Sequence, residues 1–380
     1  MKVLHLISSG GMYGAENMLL NLASAQKQFG CEPVIGVFIN DRNPQSGTVE
    51  AARRRGVEVE TFSCRGRFDG RTISAIRAFI SSRRFDLVHS HGYKSNFYGY
   101  LAARPLAVPL ISTCHLWTGA TLSVRVYEWL DSLTLRLAQH VVAVSDVIAD
   151  ILRKAGVPAR RVSTIYNGTD LSLFGDAPPT LRQELGVGSR PLIGTVGRLE
   201  EQKGLSYFIE AGREIISKLP EAILVIVGEG SQRSRLIEQI RGYGLESNIL
   251  LLGSRENMAE VYASLDVFVL ASVDEGMPMT VLEALAAARP VVATRVGAVG
   301  QLILQDQTGI LVEPRNVSAL SAAILHVLND KALAQTLAAA GAERVRKYFT
   351  ADSMARKYLD VYRHVLSGKR SMLTIDAQQV

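Results

Sequence analysis

Cysteine, long apolar runs and several familiar motifs are what this 380-residue sequence has least of. Its three cysteines, Cys31, Cys64 and Cys114, are odd in number and lack the paired spacing of metal ligands, which excludes a disulfide framework or a zinc site and points to a reducing compartment. No stretch approaches eighteen uninterrupted apolar residues, and the start MKVLHLISSGG is broken too soon for a secretory leader. A cytoplasmic protein is therefore expected. There is no Asp-x-Asp pair, no G-x-G-x-x-G order and no short-period repeat. Charge is unbalanced toward the basic side, at +6, with the excess visible in ARRRG (52 to 56), RGRFDGR (65 to 71) and SSRRF (81 to 85). No stacking aromatics or known binding motif accompany these runs, so nucleic acid is not the expected partner; a solvated face, an anionic acceptor or an anionic membrane surface fits them.

What is present is a folded chain long enough for two cores, since 47% hydrophobic and 21% charged residues leave no case for long disorder. Short β-branched runs alternate with segments of helical period. KVLHLI, PVIGVFI, VEVETF, DLVHS, PLISTC, HVVAVS and VSTIYN fill the first half, and LIGTVG, AILVIVG, ILLLG, DVFVLA, PVVAT and GILVE the second. This is the βαβ rhythm of parallel sheets covered by helices on both faces. The Pro- and Gly-bearing segment 174 to 191 reads as a linker. Two doubly wound α/β domains are thus predicted, over 1–175 and 190–350, with helices from about Val317 to Leu366 at the end. Ligands of such sheets collect beyond the carboxyl ends of the strands, and two such domains facing each other predict one cleft.

Several segments after strands carry chemistry. In TVGRLEEQKGLSYFIEA (195 to 211), Arg198 and Lys203 sit just ahead of a helix start at Gly204, where the macrodipole already attracts anions. Two cations there make sense for a diphosphate, with Arg as a planar fork and Lys as a point charge; neutralisation by Glu200 and Glu201 in a surface turn is the alternative. Gly228 and Gly230 follow a buried strand and permit either close ligand approach or a plain turn. Ser254 and Arg255, after the run LLLG, occupy the corresponding place, where a nucleobase can lie. In EGMPMTVLE (275 to 283), Glu275 precedes a helix begun by Pro278, and Glu283 lies about a turn and a half inside it. A glycosidase aims two carboxylates at one bond. Here they suit two parts of one long ligand, Glu275 a sugar and Glu283 a ribose, with the helix amides near the phosphates; an ordinary first-turn acid and an exposed helix residue are the alternative. In the first half, Gly10, Gly11 and Gly14 form a glycine-bearing loop after the first strand, which reads as a wall for an anion or acceptor, and Asp41 is not convincingly placed for a dinucleotide ribose. His115 follows a buried strand, as a proton carrier, a hydroxyl binder or a structural histidine.

Taken together, SGGMYGAENMLLNLA, STCH, IYNGTDLSLF, GRLEEQKG, VGEG and EGMPMTVLEALAAARPVVAT resemble glycosyltransferase family four, the retaining nucleotide-sugar transferases of the GT-B fold, over nearly the whole chain. The resemblance implies that Arg198 and Lys203 bind the donor diphosphate and that Glu275 contacts the transferred sugar beside the backbone of Gly276, Met277 and Pro278. It also implies that Glu283 holds the ribose and His115 touches the sugar near the reacting carbon. Gly11 would lie close to the phosphates, Asn167 and Gly168 at the domain junction, and a C-terminal helix at about 353–370 would complete the first domain. The resemblance implies no metal and no cofactor, with a UDP- or GDP-sugar as the expected donor and a hydroxyl as the expected acceptor; the basic runs of the first hundred residues add the expectation of docking at the inner membrane surface, with a lipid-linked saccharide of a cell-envelope or exopolysaccharide pathway as the acceptor. A nucleotide-sugar epimerase of the same fold, or a nucleotide-sugar-binding module without catalysis, are the competing readings. The usual small residue and glycine before Pro290 are replaced by Ala288-Arg289, which bears on turn geometry and not on chemistry.

Overall fold

The computed structural model describes residues 1–8, 11–40, 47–66, 68–115 and 131–368. All thirteen apolar runs form strands, and they divide between two parallel sheets. The first sheet has the order β3-β2-β1-β4-β5-β6-β7, built from β1 (Lys2–Ile7), β2 (Glu32–Ile39), β3 (Glu58–Ser63), β4 (Leu87–His91), β5 (Leu110–Cys114), β6 (His140–Ala143) and β7 (Val162–Thr164). The second has the order β10-β9-β8-β11-β12-β13, from β8 (Leu192–Val196), β9 (Ile223–Val227), β10 (Ile249–Gly253), β11 (Val267–Leu270), β12 (Val291–Thr294) and β13 (Ile310–Val312). Central strands such as β9, ILVIV, are buried at every position because helices cover both faces, which is why they read as continuous apolar runs and not as alternating ones.

Strand order reverses between β1 and β4 in the first sheet and between β8 and β11 in the second. At such a switch point the two adjoining connections run to opposite faces, so their loops diverge and leave a crevice at the carboxyl edge. The loops after β8 and β11 are the ones that carry Arg198, Lys203 and Glu275.

The chain forms two units, Met1–Gly168 with the segment from Ala351 onward, and Thr169–Thr350. The segment 174 to 191 is thus no linker but part of the second unit. Its helix Thr180–Glu184 is tied down by polar contacts that its Pro- and Gly-rich sequence hides. The Arg182 guanidinium donates to the Ser264 carbonyl at 2.8 Å and pairs with Asp266 at 2.5 Å, and the Phe174 ring meets Tyr262. The chain returns to the first unit through the helix Ala351–Leu366, which packs on the helix Gly14–Gln28. Its Tyr358 and Tyr362 are fully buried there, Met354 Sδ accepts from the Gly168 amide, and Arg356 stacks over Phe29.

All three cysteines are buried and free. No helix among the described residues is long and apolar enough to cross a membrane. At the end of the helix Met279–Ala286, Ala288 takes a left-handed conformation with φ 51°, the place a glycine would fill without strain. The Arg289 side chain secures this turn by donating to the carbonyls of Ala287, Ala263 and Leu265.

Candidate active site

In the second unit the site grows from two loops that the β8–β11 reversal sets side by side. The first leaves β8 at Val196 and runs through Gly197 and Arg198 into the short 3-10 turn Glu201–Lys203 before the helix Leu205–Lys218. The second leaves β11 and reaches Pro278, whose extended ψ of 118° makes it the cap residue before the helix Met279–Ala286 and not its first turn. The loops are stitched by the Val273 amide donating to the Gln202 carbonyl at 2.8 Å. Gly204, at φ 61°, lies so close to the Ala271 carbonyl that a β-carbon would sit 2.0 Å from its oxygen. That contact brings Lys203 to the mouth of β11.

There Lys203 Nζ donates to Glu275 Oε1 at 2.6 Å, and the Ser272 hydroxyl donates to the same oxygen at 2.6 Å. Side-chain exposure is 16% for Lys203 and 6% for Glu275, so solvent screens this pair little and its loss would leave a charge stranded. The Ser272 carbonyl in turn accepts from the Thr294 hydroxyl at 2.6 Å, which fixes the donor that fixes the carboxylate. Burial, and then the neighbouring Glu275 charge, raise the Asp274 carboxyl above its ordinary range. Arg198 is half-buried on the same loop. The Glu200 carboxylate accepts from the Ser231 amide and hydroxyl, joining the β8 and β9 loops.

Further along, the buried Glu283 accepts from the Tyr262 hydroxyl at 2.7 Å. Burial first, and then the Glu283 charge, push the Tyr262 phenol well above its usual range, so it stays a donor at any physiological pH. Glu275 and Glu283 therefore have separate partners on separate elements and are not a pair aimed at one atom. Met277 is buried, and Gly276 accepts from the Ala298 amide at 3.0 Å.

The space beside Gly228 and Gly230 is filled by protein: a β-carbon at Gly228 would lie 1.9 Å from the Gly197 oxygen, and one at Gly230 would lie 2.6 Å from the Leu199 backbone. These glycines let the β8 and β9 loops touch, and they shape the site through Arg198's own loop. Arg255 is likewise engaged elsewhere, in a two-pronged bond to Glu184 at 2.7 and 2.6 Å, while Ser254 beside it is exposed.

In the first unit Gly11 and the exposed Met12 and Tyr13 lead into the helix Gly14–Gln28. Gly10 and Asp41 lie outside the described residues. His115 is half-buried just past β5, and burial lowers its pKa to about 4. Sequence reasoning missed what stands behind it. His5 on β1 and His89 and His91 on β4 are buried, with ring nitrogens within 4.8 Å of one another. The available signal was the alternation His89-Ser-His91, which puts two imidazoles on one face of a strand, beside the strand that carries His5. Their ring nitrogens are all engaged, with Gln26, Thr113, Tyr362, His115 and each other, in one hydrogen-bonded network. Tyr262 and Ser272 were missed as well, since a hydroxyl orienting a carboxylate across elements leaves no local pattern.

Two doubly wound parallel sheets, one carrying the Lys203–Glu275 pair at its β8–β11 reversal and Glu283 on the helix that follows, make up the architecture of the GT-B class. Residues 12–173 match the family described as Glycosyltransferase Family 4, and residues 190–330 match that described as Glycosyl transferases group 1. The UDP-Gal:alpha-D-GlcNAc-diphosphoundecaprenol alpha-1,3-galactosyltransferase of Escherichia coli is 30% identical over 278 residues, 70% of this chain and 72% of that protein. The alpha-D-kanosaminyltransferase of Streptomyces kanamyceticus is 30% identical over 297 residues, 73% of this chain and 77% of that protein. Anabaena HepE, solved with UDP-glucose, superposes with a TM-score of 0.83 at 24% identity, over 97% of this chain and 100% of that one. The chain belongs to the family-four glycosyltransferases of the GT-B fold, and its activity is glycosyl transfer.

Proposed function

We propose that the protein moves a hexose-type sugar, with retention of anomeric configuration and without a metal, from a UDP- or GDP-activated donor to a hydroxyl acceptor. The observation that carries this reading is the meeting of Lys203 and Glu275 at the β8–β11 reversal, one loop bearing cations and the other a carboxylate. An ammonium has three N–H donors and one is committed to Glu275, so two can face diphosphate oxygens beside the amide-rich start of the helix Leu205–Lys218. Arg198 adds a fork of donors from the same loop. Together they stabilise the charge that develops on the departing nucleotide, the work a metal does elsewhere.

Glu275, oriented by Lys203 and Ser272, accepts from hydroxyls of the transferred sugar, with the backbone of Gly276, Met277 and Pro278 alongside. Glu283, oriented by Tyr262, accepts from the ribose hydroxyls. In the first unit, His115 takes a sugar hydroxyl near the reacting carbon, and Gly11 lies near the phosphates. The E. coli relative, named for transfer from UDP-galactose to a diphosphoundecaprenol-linked sugar, supports a lipid-linked saccharide as acceptor in cell-envelope or exopolysaccharide synthesis. The basic runs of the first hundred residues suit a cytoplasmic enzyme that docks on an anionic membrane surface. Purified protein with a UDP- or GDP-sugar and a polyprenyl-diphosphate saccharide should yield an extended saccharide whose new anomeric centre keeps the donor configuration; an inverted product would refute retention. Flotation with anionic vesicles tests docking, and binding indifferent to lipid charge and salt would sink it.

A further inference from the structure

Behind His115 lies a chain of hydrogen bonds that has a direction. It runs from Tyr362 through Gln26, His5 and His91 to His115. The Tyr362 hydroxyl lies 2.6 Å from His89 Nδ1 and 3.1 Å from Gln26 Nε2. Gln26 Oε1 lies 2.9 Å from His5 Nε2, His5 Nδ1 lies 3.2 Å from His91 Nε2, and His91 Nδ1 lies 3.4 Å from His115 Nε2.

A neutral imidazole has one donor nitrogen and one acceptor, so fixing the sense of one bond fixes those that follow. Burial lowers the pKa of His5 and His115 to about 4 and takes His89 and His91 well below 6.5, so all four rings are neutral at pH 7. The side chain that sets the sense is Gln26, whose Nε2 donates to the Tyr362 oxygen and whose Oε1 can only accept. With its oxygen accepting from Gln26, the Tyr362 hydroxyl has its proton left to donate to His89 Nδ1, 2.6 Å away. The phenol therefore donates to His89 Nδ1, and its oxygen accepts from the Gln26 amide. His89 Nε2–H is then the donor to Thr113 Oγ1, at 2.7 Å. Gln26 Oε1 accepts from His5 Nε2–H, His5 Nδ1 accepts from His91 Nε2–H, and His91 Nδ1 accepts from His115 Nε2–H. A connected network of this kind holds its members in one arrangement.

We infer that Gln26, His5 and His91 are positioning residues that hold His115 in its Nε2–H tautomer, so that it presents Nδ1, an acceptor, to a hydroxyl of the transferred sugar. The inference rests on the placement of His115 at the sugar proposed above. It adds which nitrogen meets the ligand and in which sense the bond runs: the sugar hydroxyl must donate.

The test is long-range, on the full-length chain. Tyr362→Phe preserves the buried ring while removing the hydroxyl that orients Gln26, and Gln26→Met preserves volume while removing the amide. Nitrogen-15 spectra of the histidine side chains read the tautomer directly, and turnover with a nucleotide sugar is measured on the same samples. In the unaltered protein His115 should show a pyridine-type Nδ1 and a pyrrole-type Nε2. In each variant these should move toward averaged values, and turnover should fall roughly twofold or more, because only the competent fraction of His115 acts. A wild-type His115 protonated on Nδ1, or signals unmoved in both folded variants, overturns the inference. A tautomer that shifts with turnover unchanged overturns the positioning role by way of the placement of His115 at the sugar, and so separates the failure of that reading from a failure of the relay.

Discussion

Replacing Lys203 with methionine removes one charge from a pair that water barely reaches, and two consequences follow that can be read separately. The first is structural. With the ammonium gone, Glu275 keeps the Ser272 hydroxyl but loses its counter-charge, in a place where it is only 7% exposed. Breaking a buried pair on one side costs about 3–5 kcal/mol, and the partial exposure of Lys203 argues for the lower end. Since 1.36 kcal/mol is a factor of ten, about 3 kcal/mol corresponds to roughly a hundredfold faster hydrogen exchange for amides of β8 and β11 that exchange by opening of this region. Adding Glu275→Gln removes the stranded charge and should restore much of that protection. The second consequence is catalytic: kcat for transfer should fall roughly 10²- to 10³-fold in Lys203→Met, as for loss of one preorganised charge stabiliser, and should not recover in the double variant. Exchange mass spectrometry and transfer kinetics on the same preparations decide it. Unchanged protection would refute the buried-pair argument, and near-normal kcat would refute the role of Lys203 at the diphosphate.

Tyr262→Phe leaves Glu283 without its hydroxyl donor, so donor affinity should weaken by about tenfold, the scale of one hydrogen bond to a charged group, with kcat little changed; calorimetry with nucleoside diphosphates checks this. Ala288→Gly relieves a left-handed alanine and should stabilise the second unit by up to about 1 kcal/mol, the strain relief being offset in part by a more flexible unfolded chain. Stability of the first unit should depend steeply on acid. His5, His115 and His140 have folded pKa values lowered to about 4, against 6.5 unfolded, so below pH 6.5 the unfolded chain binds protons that the folded one refuses. Their contribution is complete above pH 6.5 and is lost as pH falls toward 4, at about 1.4 kcal/mol per pH unit for each ring kept neutral. Urea titrations between pH 7 and 4.5 should show the midpoint dropping, whereas a flat midpoint would count against buried neutral histidines.

The sheets were legible because strands covered on both faces, such as β9 and β11, read as continuous apolar runs, and edge strands such as β3 take their place in the same alternation with helical segments. Motif order carried the family. The second unit's edge at 169 to 191 was not legible, because Arg182 and Thr180 fasten that segment through side chains that meet Asp266 and Glu260, residues about eighty positions away. Gly228 and Gly230 read as either a ligand-facing or a plain turn for a related reason: the atoms that need their missing β-carbons belong to the neighbouring loop, which no local pattern shows. The Lys203–Glu275 pair joins two residues that had been assigned to different parts of a ligand. Nothing local announces that they touch; only the β8–β11 reversal does.

Whether this chain takes a sugar from a nucleotide is read from a donor screen. Purified protein is incubated with a panel of UDP- and GDP-sugars, and the melting temperature and the slow release of nucleoside diphosphate are followed for the wild type and for Lys203→Met. One donor class should raise the melting temperature and be hydrolysed slowly by the wild type, with release suppressed roughly a hundredfold in the variant. A protein neither stabilised by any donor nor able to release its nucleotide, or one whose release is indifferent to Lys203, would contradict the account.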